Sequence, residues 1–126
     1  MSDRLTALVV KDEEFVRDEL AAALEGKVRF TEGGSLILDD GFPGLSTAQK
    51  VACILLACRA AHLLGLRNSS GATPGQVVEM SGMAPGSVRP KLSQLAKQRL
   101  VAKEGSEYVI PTHAGRKVAT LVAEGA

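Results

Sequence analysis

Between Thr73 and Gly115 the chain reads TPGQVVEMSGMAPGSVRPKLSQLAKQRLVAKEGSEYVIPTHAG, and its hydrophobic period changes from helical to two. The order it encodes is helix, tight turn, helix, β-hairpin. Thr73 suits an N-cap, because its hydroxyl accepts from the first free backbone N–H groups, and Gln76 three residues on completes a capping box. Pro74 suits the first helical position, where a missing N–H costs nothing. Val77, Val78 and Met80 point inward, and Ser81-Gly82 ends the helix. Gly82 stands where the chain needs a positive φ, which glycine adopts without a Cβ clash. Met83 is expected to plug the core between the two helices.

The second helix spans about 85–99. Val88, Leu92, Leu95 and Ala96 recur at helical spacing as one apolar stripe, closed by Leu100. The opposite face offers Ser87, Arg89, Lys91, Gln94, Lys97 and Gln98, side chains able to bond phosphate oxygens or base edges. Pro90 conflicts with this pattern, since a proline inside a helix costs about 3 kcal/mol. Ser87 as the true cap would place Pro90 in the first turn, and that start is the one expected here. After Leu100 the period becomes two. Val101, Tyr108 and Ile110 around Glu104-Gly105-Ser106-Glu107 predict a hairpin over about 101–110, turning near Gly105. Pro111 ends it, Thr112 can cap a last helix, and Val118, Leu121 and Val122 give that helix an apolar side.

The string GMAPGSVRPKLSQLAKQRLV resembles the pattern of winged helix-turn-helix regulators such as the multiple-antibiotic-resistance type. The matching residues are Gly82-Met83 at the turn, Ser87-Val88 opening the recognition helix, Leu92 with Leu95, and Leu100-Val101 starting the wing. Thr112-His113-Ala114-Gly115 is similar to the Thr-x-x-Gly that follows the wing. With the preceding helix, the likeness covers about two-thirds of the chain. Arg99 departs from it, standing where that family usually has glycine before the Leu-Val. The segment before residue 46 does not resemble that family's helical dimerisation arm. The resemblance implies a helix presented to the DNA major groove and a wing beside it.

Charge supports the same reading. The net charge is +1, yet residues 1–40 hold five Lys/Arg against ten Asp/Glu, and residues 41–126 hold ten against four. From Met83 to Lys103 there are five basic residues and no acid. One-signed charge on the proposed recognition helix is the footprint a phosphate backbone requires, against the blander reading of a solvated Lys-rich face. At 3% aromatic, the core must be built of Leu, Val, Ile and Ala. A membrane span is not expected, because no run of about 18 apolar residues occurs. The N-terminus lacks the pattern of a signal peptide, so a cytoplasmic location is expected.

Asp12 to Leu24 reads as an amphipathic helix with Phe15, Leu20 and Leu24 apolar and Asp12, Glu13 and Glu14 in its first turn, where the helix dipole favours anions. Lys27 to Thr31 and Ser35 to Asp39, around Glu32-Gly33-Gly34, predict a hairpin. Ser46 or Thr47 then caps a helix to about Leu64 whose apolar residues occupy nearly all sides, the mark of burial on more than one face. Residues 67–73 (RNSSGAT) read as a flexible linker.

No catalytic constellation emerges. Cys53 and Cys58 are five apart on one helix, face different ways and cannot pair. Both read as small core residues, and a thiol switch at Cys58 has only Arg59 beside it. Cys58 and His62 have i,i+4 spacing, but a metal site needs further ligands and His113 is the one other histidine. Gly33-Gly34 lacks the Gly-Lys-Ser/Thr of a phosphate loop, Asp39-Asp40 lack a partner, and Ser69-Ser70 lack an elbow context. Met80 and Met83 read as core filling rather than the lining of a ligand pocket.

The sequence therefore predicts a mainly α fold with small β: a winged helix-turn-helix over 46–126 with an N-terminal helix-hairpin extension over 1–45. The expected function is a dimeric DNA-binding transcriptional regulator without cofactor, metal or enzymatic activity. Ser87, Arg89, Lys91 and Gln94 are expected at base edges and nearby phosphates, and Lys97, Arg99 and Lys103 at phosphates or the wing side. The acidic N-terminal part is expected to face away from DNA. The alternative is a winged helix used as a protein-interaction module in a larger complex. The two carboxylates at the hairpin tip, Glu104 and Glu107, favour it by repelling a DNA backbone.

Overall fold

The computed structural model describes residues 12–124, with side chains from residue 17 onward. Within it α1 (Asp12–Leu24) leads into a hairpin of β1 (Val28–Phe30) and β2 (Leu36–Leu38). Then come α2 (Thr47–Leu63), α3 (Pro74–Ser81), α4 (Pro85–Lys97), a second hairpin of β3 (Ala102–Glu104) and β4 (Glu107–Val109), a 3-10 turn at Thr112–Ala114, and α5 (Gly115–Ala123). The described residues thus form five α-helices and two small antiparallel hairpins, a mainly α arrangement. The side chains of Asp12, Glu13, Glu14 and Phe15 lie outside the described set.

Helix α2 is the axis of the core. Val51 to Cys58 are all buried, and α1, α3, α4 and α5 each pack against it. Ile54, Leu55 and Leu56 have no exposed surface, and burying each such side chain stabilises the fold by about 1.5–3 kcal/mol. The helix starts where Ser46 and Gln49 close a capping box: Gln49 N–H donates to Ser46 Oγ (3.2 Å) and Ser46 N–H to Gln49 Oε1 (2.8 Å). Gln49 Nε2 also donates to the Leu121 carbonyl at 3.0 Å, tying the start of α2 to α5.

One core runs through the chain. Leu20, Ala23, Leu24 and Val28 from the N-terminal part join it with Val88, Leu92 and Leu95 of α4 and Val118 and Val122 of α5. An ion pair from Arg116 Nε to Glu19 Oε1 (3.0 Å) crosses between α5 and α1. Cys53 and Cys58 are free and buried, as small apolar residues are. Burial pushes both thiols up, Cys53 to about 12.

The segment expected to be a flexible linker is ordered. Arg67 Nη2 donates to the Gly71 carbonyl (2.9 Å) and to Gln76 Oε1 (3.2 Å), and Ser69 Oγ donates to Glu107 Oε1 (2.6 Å). Ala72 and Tyr108 exchange both backbone hydrogen bonds, adding a one-residue bridge to the second hairpin. Gly71 makes that approach possible: a Cβ there would lie 2.5 Å from Val109 Cγ1 and 2.7 Å from the Tyr108 carbonyl oxygen. A Ser- and Gly-rich string signals flexibility only while its backbone groups lack partners, and here the hairpin supplies them. A second expectation fails at Thr112. It opens a 3-10 turn, and α5 begins at Gly115 without a side-chain cap.

Candidate nucleic-acid interface

The helix pair α3–α4 is joined by a short turn. Thr73 and Gln76 close a capping box on α3, and Gly82 ends it in the left-handed region at φ 73°. Val77 is buried, and Met83 is half-buried against the core at the turn. The predicted cap of α4 is corrected. The helix begins at Pro85 behind Ala84, with no side-chain cap, so Ser87 lies inside the first turn and Pro90 lies inside the helix. The proline deletes the hydrogen bond that an N–H at that position would give the Gly86 carbonyl. The three buried residues Val88, Leu92 and Leu95 hold the helix despite it.

That burial fixes which way the polar residues face. At about 100° per residue, Ser87, Lys91 and Gln94 fall on one flank of α4. Lys91 Nζ donates to Gln94 Oε1 at 2.8 Å, so two of the expected contact residues are already joined. Arg89 lies about 160° from Lys91, on the flank shared with Ala96. Lys97 points opposite the core. Arg89 and Lys91, adjacent in the expected contact set, are thus on opposite flanks. Ser87, Arg89, Gln94, Lys97, Arg99 and Lys103 are exposed, and Lys91 is half-exposed.

The Arg89 flank leads to a groove of about 390 Å³ between the end of α4, the second hairpin and the 3-10 turn. Arg99, Lys103 and His113 line it over a floor that includes Ala96, Val101 and Pro111. His113 was not among the expected site residues. It sits ten residues past Lys103, and no local period marks that proximity.

Arg99 has the geometry its sequence position foretold for a glycine. It is the single non-glycine residue with positive φ (61°) among the described residues. Arg99 N–H bonds the Ala96 carbonyl and Leu100 N–H the Leu95 carbonyl, both at 3.0 Å, the pair that closes a helix in a Schellman motif. Helix α2 ends in the same motif with Gly65 at the left-handed position (φ 75°). The left-handed conformation costs a side-chain-bearing residue about 1–2 kcal/mol.

No protein-family model, curated protein or solved structure matches the chain.

The hairpin separates its charges. Glu107 accepts from Ser69 on the segment before α3. Glu104 lines a different cleft, with Arg59, His62 and Ser70, on the α2 side. Lys103 lines the α4 side with Arg99. The repulsion expected from the two tip carboxylates is thus partly relieved, because Glu107 is hydrogen-bonded to Ser69 and Glu104 shares its cleft with Arg59. Elsewhere, His62 Nδ1 lies 3.0 Å from the Arg67 carbonyl oxygen, which leaves Cys58 buried without it. Among the described residues no group of three or more His, Cys, Asp or Glu is placed to hold a metal ion, and no helix is long and apolar enough to cross a membrane.

Proposed function

We propose that the chain is a DNA-binding transcriptional regulator of winged helix-turn-helix architecture, a binding protein rather than an enzyme, acting in the cytoplasm. Helix α4 is the recognition helix in the major groove and the β3–β4 hairpin is the wing. The observation that carries the reading is the surface of α4 and its exit. Arg89, Lys97, Arg99 and Lys103 are exposed there, no acid occurs between Met83 and Lys103, Glu107 is bonded to Ser69, and Glu104 lines a different cleft. The α3–turn–α4 arrangement followed at once by a hairpin supports it. Ser87, Lys91 and Gln94 form the flank for base edges, while Arg89 and Lys97 reach phosphates. Two copies on adjacent half-sites, about 34 Å apart, go with this reading. The acidic α1 packs on α5 and α2.

The test is a fluorescence-anisotropy titration with random duplex DNA at several salt concentrations. Each phosphate contact contributes about −0.9 to the slope of log affinity against log salt. The joint charge reversal Arg89→Glu with Lys97→Glu should flatten that slope by about 2. Arg29→Gln, which removes a cation already paired with Asp39 at 3.0 Å, should leave it unchanged. Absence of binding at low salt sinks the reading and turns the search to a protein partner, since fold alone does not choose between them.

A further inference from the structure

We propose that the groove formed by Arg99, Lys103 and His113 is an oxyanion site for a phosphate group. The group is either a backbone phosphodiester of bound DNA or a free phosphate-class ligand. The DNA source rests on the reading above, whereas the site does not.

Three observations carry it. The groove collects three nitrogen-bearing side chains from three different elements: the α4 exit, β3 and the 3-10 turn. The side chains of all three lack hydrogen-bond and ion-pair partners among the described residues, and no carboxylate lines the groove. Three other grooves among the described residues each contain at least one carboxylate: Asp18 and Glu25, Glu79, or Glu104. Independently, Arg99 occupies a left-handed position that glycine would fill without strain. Strained residues of this kind concentrate where a side chain is needed for binding. The chemistry fits a tetrahedral oxyanion. Arg99 offers a planar fork of donors, Lys103 a point charge, and His113 an N–H donor in either protonation state. The apolar floor of Ala96, Val101 and Pro111 excludes water from one side, which strengthens charge-assisted hydrogen bonds.

The full chain has two histidines, so their ring resonances make a reporter with an internal control. Inorganic phosphate is titrated at constant ionic strength against chloride, with imidazole C–H shifts read by NMR. Saturable movement of His113 with His62 unmoved is the expected result. Lys103→Gln and Arg99→Gly should each weaken phosphate by about tenfold, as for loss of one charged hydrogen bond. Both positions are exposed, and near-UV circular dichroism checks that each variant is folded. Equal movement in chloride, or none in phosphate and none with duplex DNA, overturns the site. That result leaves the DNA reading standing if anisotropy still reports duplex binding. A short duplex that moves His113 in the wild type but not in Arg89→Glu/Lys97→Glu, while phosphate moves it in both, assigns the groove to a backbone phosphodiester. Movement with phosphate alone assigns it to a free ligand.

Discussion

Replacing Arg99 with glycine should make the protein more stable and a poorer binder. The arginine sits at φ 61° in a Schellman closure whose two backbone hydrogen bonds, at 3.0 Å each, do not depend on the side chain. Relief of the left-handed conformation is worth about 1–2 kcal/mol. Glycine gives part of this back through its larger unfolded-state entropy, about 0.5–1 kcal/mol. No contact is lost in compensation, because the side chain is exposed and lacks a partner among the described residues. The net expectation is a gain of about 0.5–1 kcal/mol, or a melting temperature about 2–5 °C higher for a chain of 126 residues. Urea denaturation should move the midpoint upward at unchanged slope. Arg99→Ala separates backbone from side chain: it keeps the strain, so it should show no gain, yet it loses the same binding. A glycine variant no more stable than the alanine one would refute the strain argument. A stable glycine variant that binds phosphate and DNA as the wild type does would refute the functional one.

Two further outcomes follow from the packing. Gly71→Ala places a methyl 2.7 Å from the Tyr108 carbonyl oxygen and 2.5 Å from Val109 Cγ1, so it should part the Ala72–Tyr108 bridge at a cost of about 1–3 kcal/mol; faster amide exchange at Ala72 and Tyr108 would report it, and unchanged exchange would contradict it. The Cys53 thiol, raised by burial from 9.0 to about 12, makes the fold hold a proton that the unfolded chain releases. Stability from this group is intact below about pH 9 and falls as pH rises toward about 12, by about 1.4 kcal/mol per unit at full slope. Between pH about 8 and about 10.5 the loss is about 2 kcal/mol, and Cys53→Ala should lack that part of the slope. Parallel curves for the two proteins would rule it out.

The elements were legible in the sequence wherever local chemistry was self-sufficient. Ser46 with Gln49 and Thr73 with Gln76 mark the starts of α2 and α3 because a capping box is closed within four residues. Both hairpins announced themselves by period-two strands flanking glycine. What escaped depends on partners far along the chain. Residues 67–73 look flexible until the second hairpin provides Tyr108 and Glu107 as partners. The expected contact residues are all exposed or half-exposed, but their division into two flanks follows from which face of α4 meets α2, and His113 joins Arg99 and Lys103 only through the return of the hairpin.

Three departures from local stability rules fall together on α4. Helix α2 begins with a capping box and ends on Gly65, and α3 begins with a capping box and ends on Gly82. Helix α4 begins behind an alanine, carries Pro90 within it and ends on a left-handed arginine. Each departure works against stability: a missing N-cap by about 1 kcal/mol, an interior proline by about 3, a left-handed side chain by about 1–2. All three are offset by the packing of α4, led by the buried stripe of Val88, Leu92 and Leu95. A sequence selected for stability alone would mend any of them with one substitution. Their concentration on the element that bears the exposed cations Arg89, Lys97 and Arg99 is what a helix shaped by its outward surface would show. Its inner face secures the fold, and its remaining positions are free to answer to a ligand.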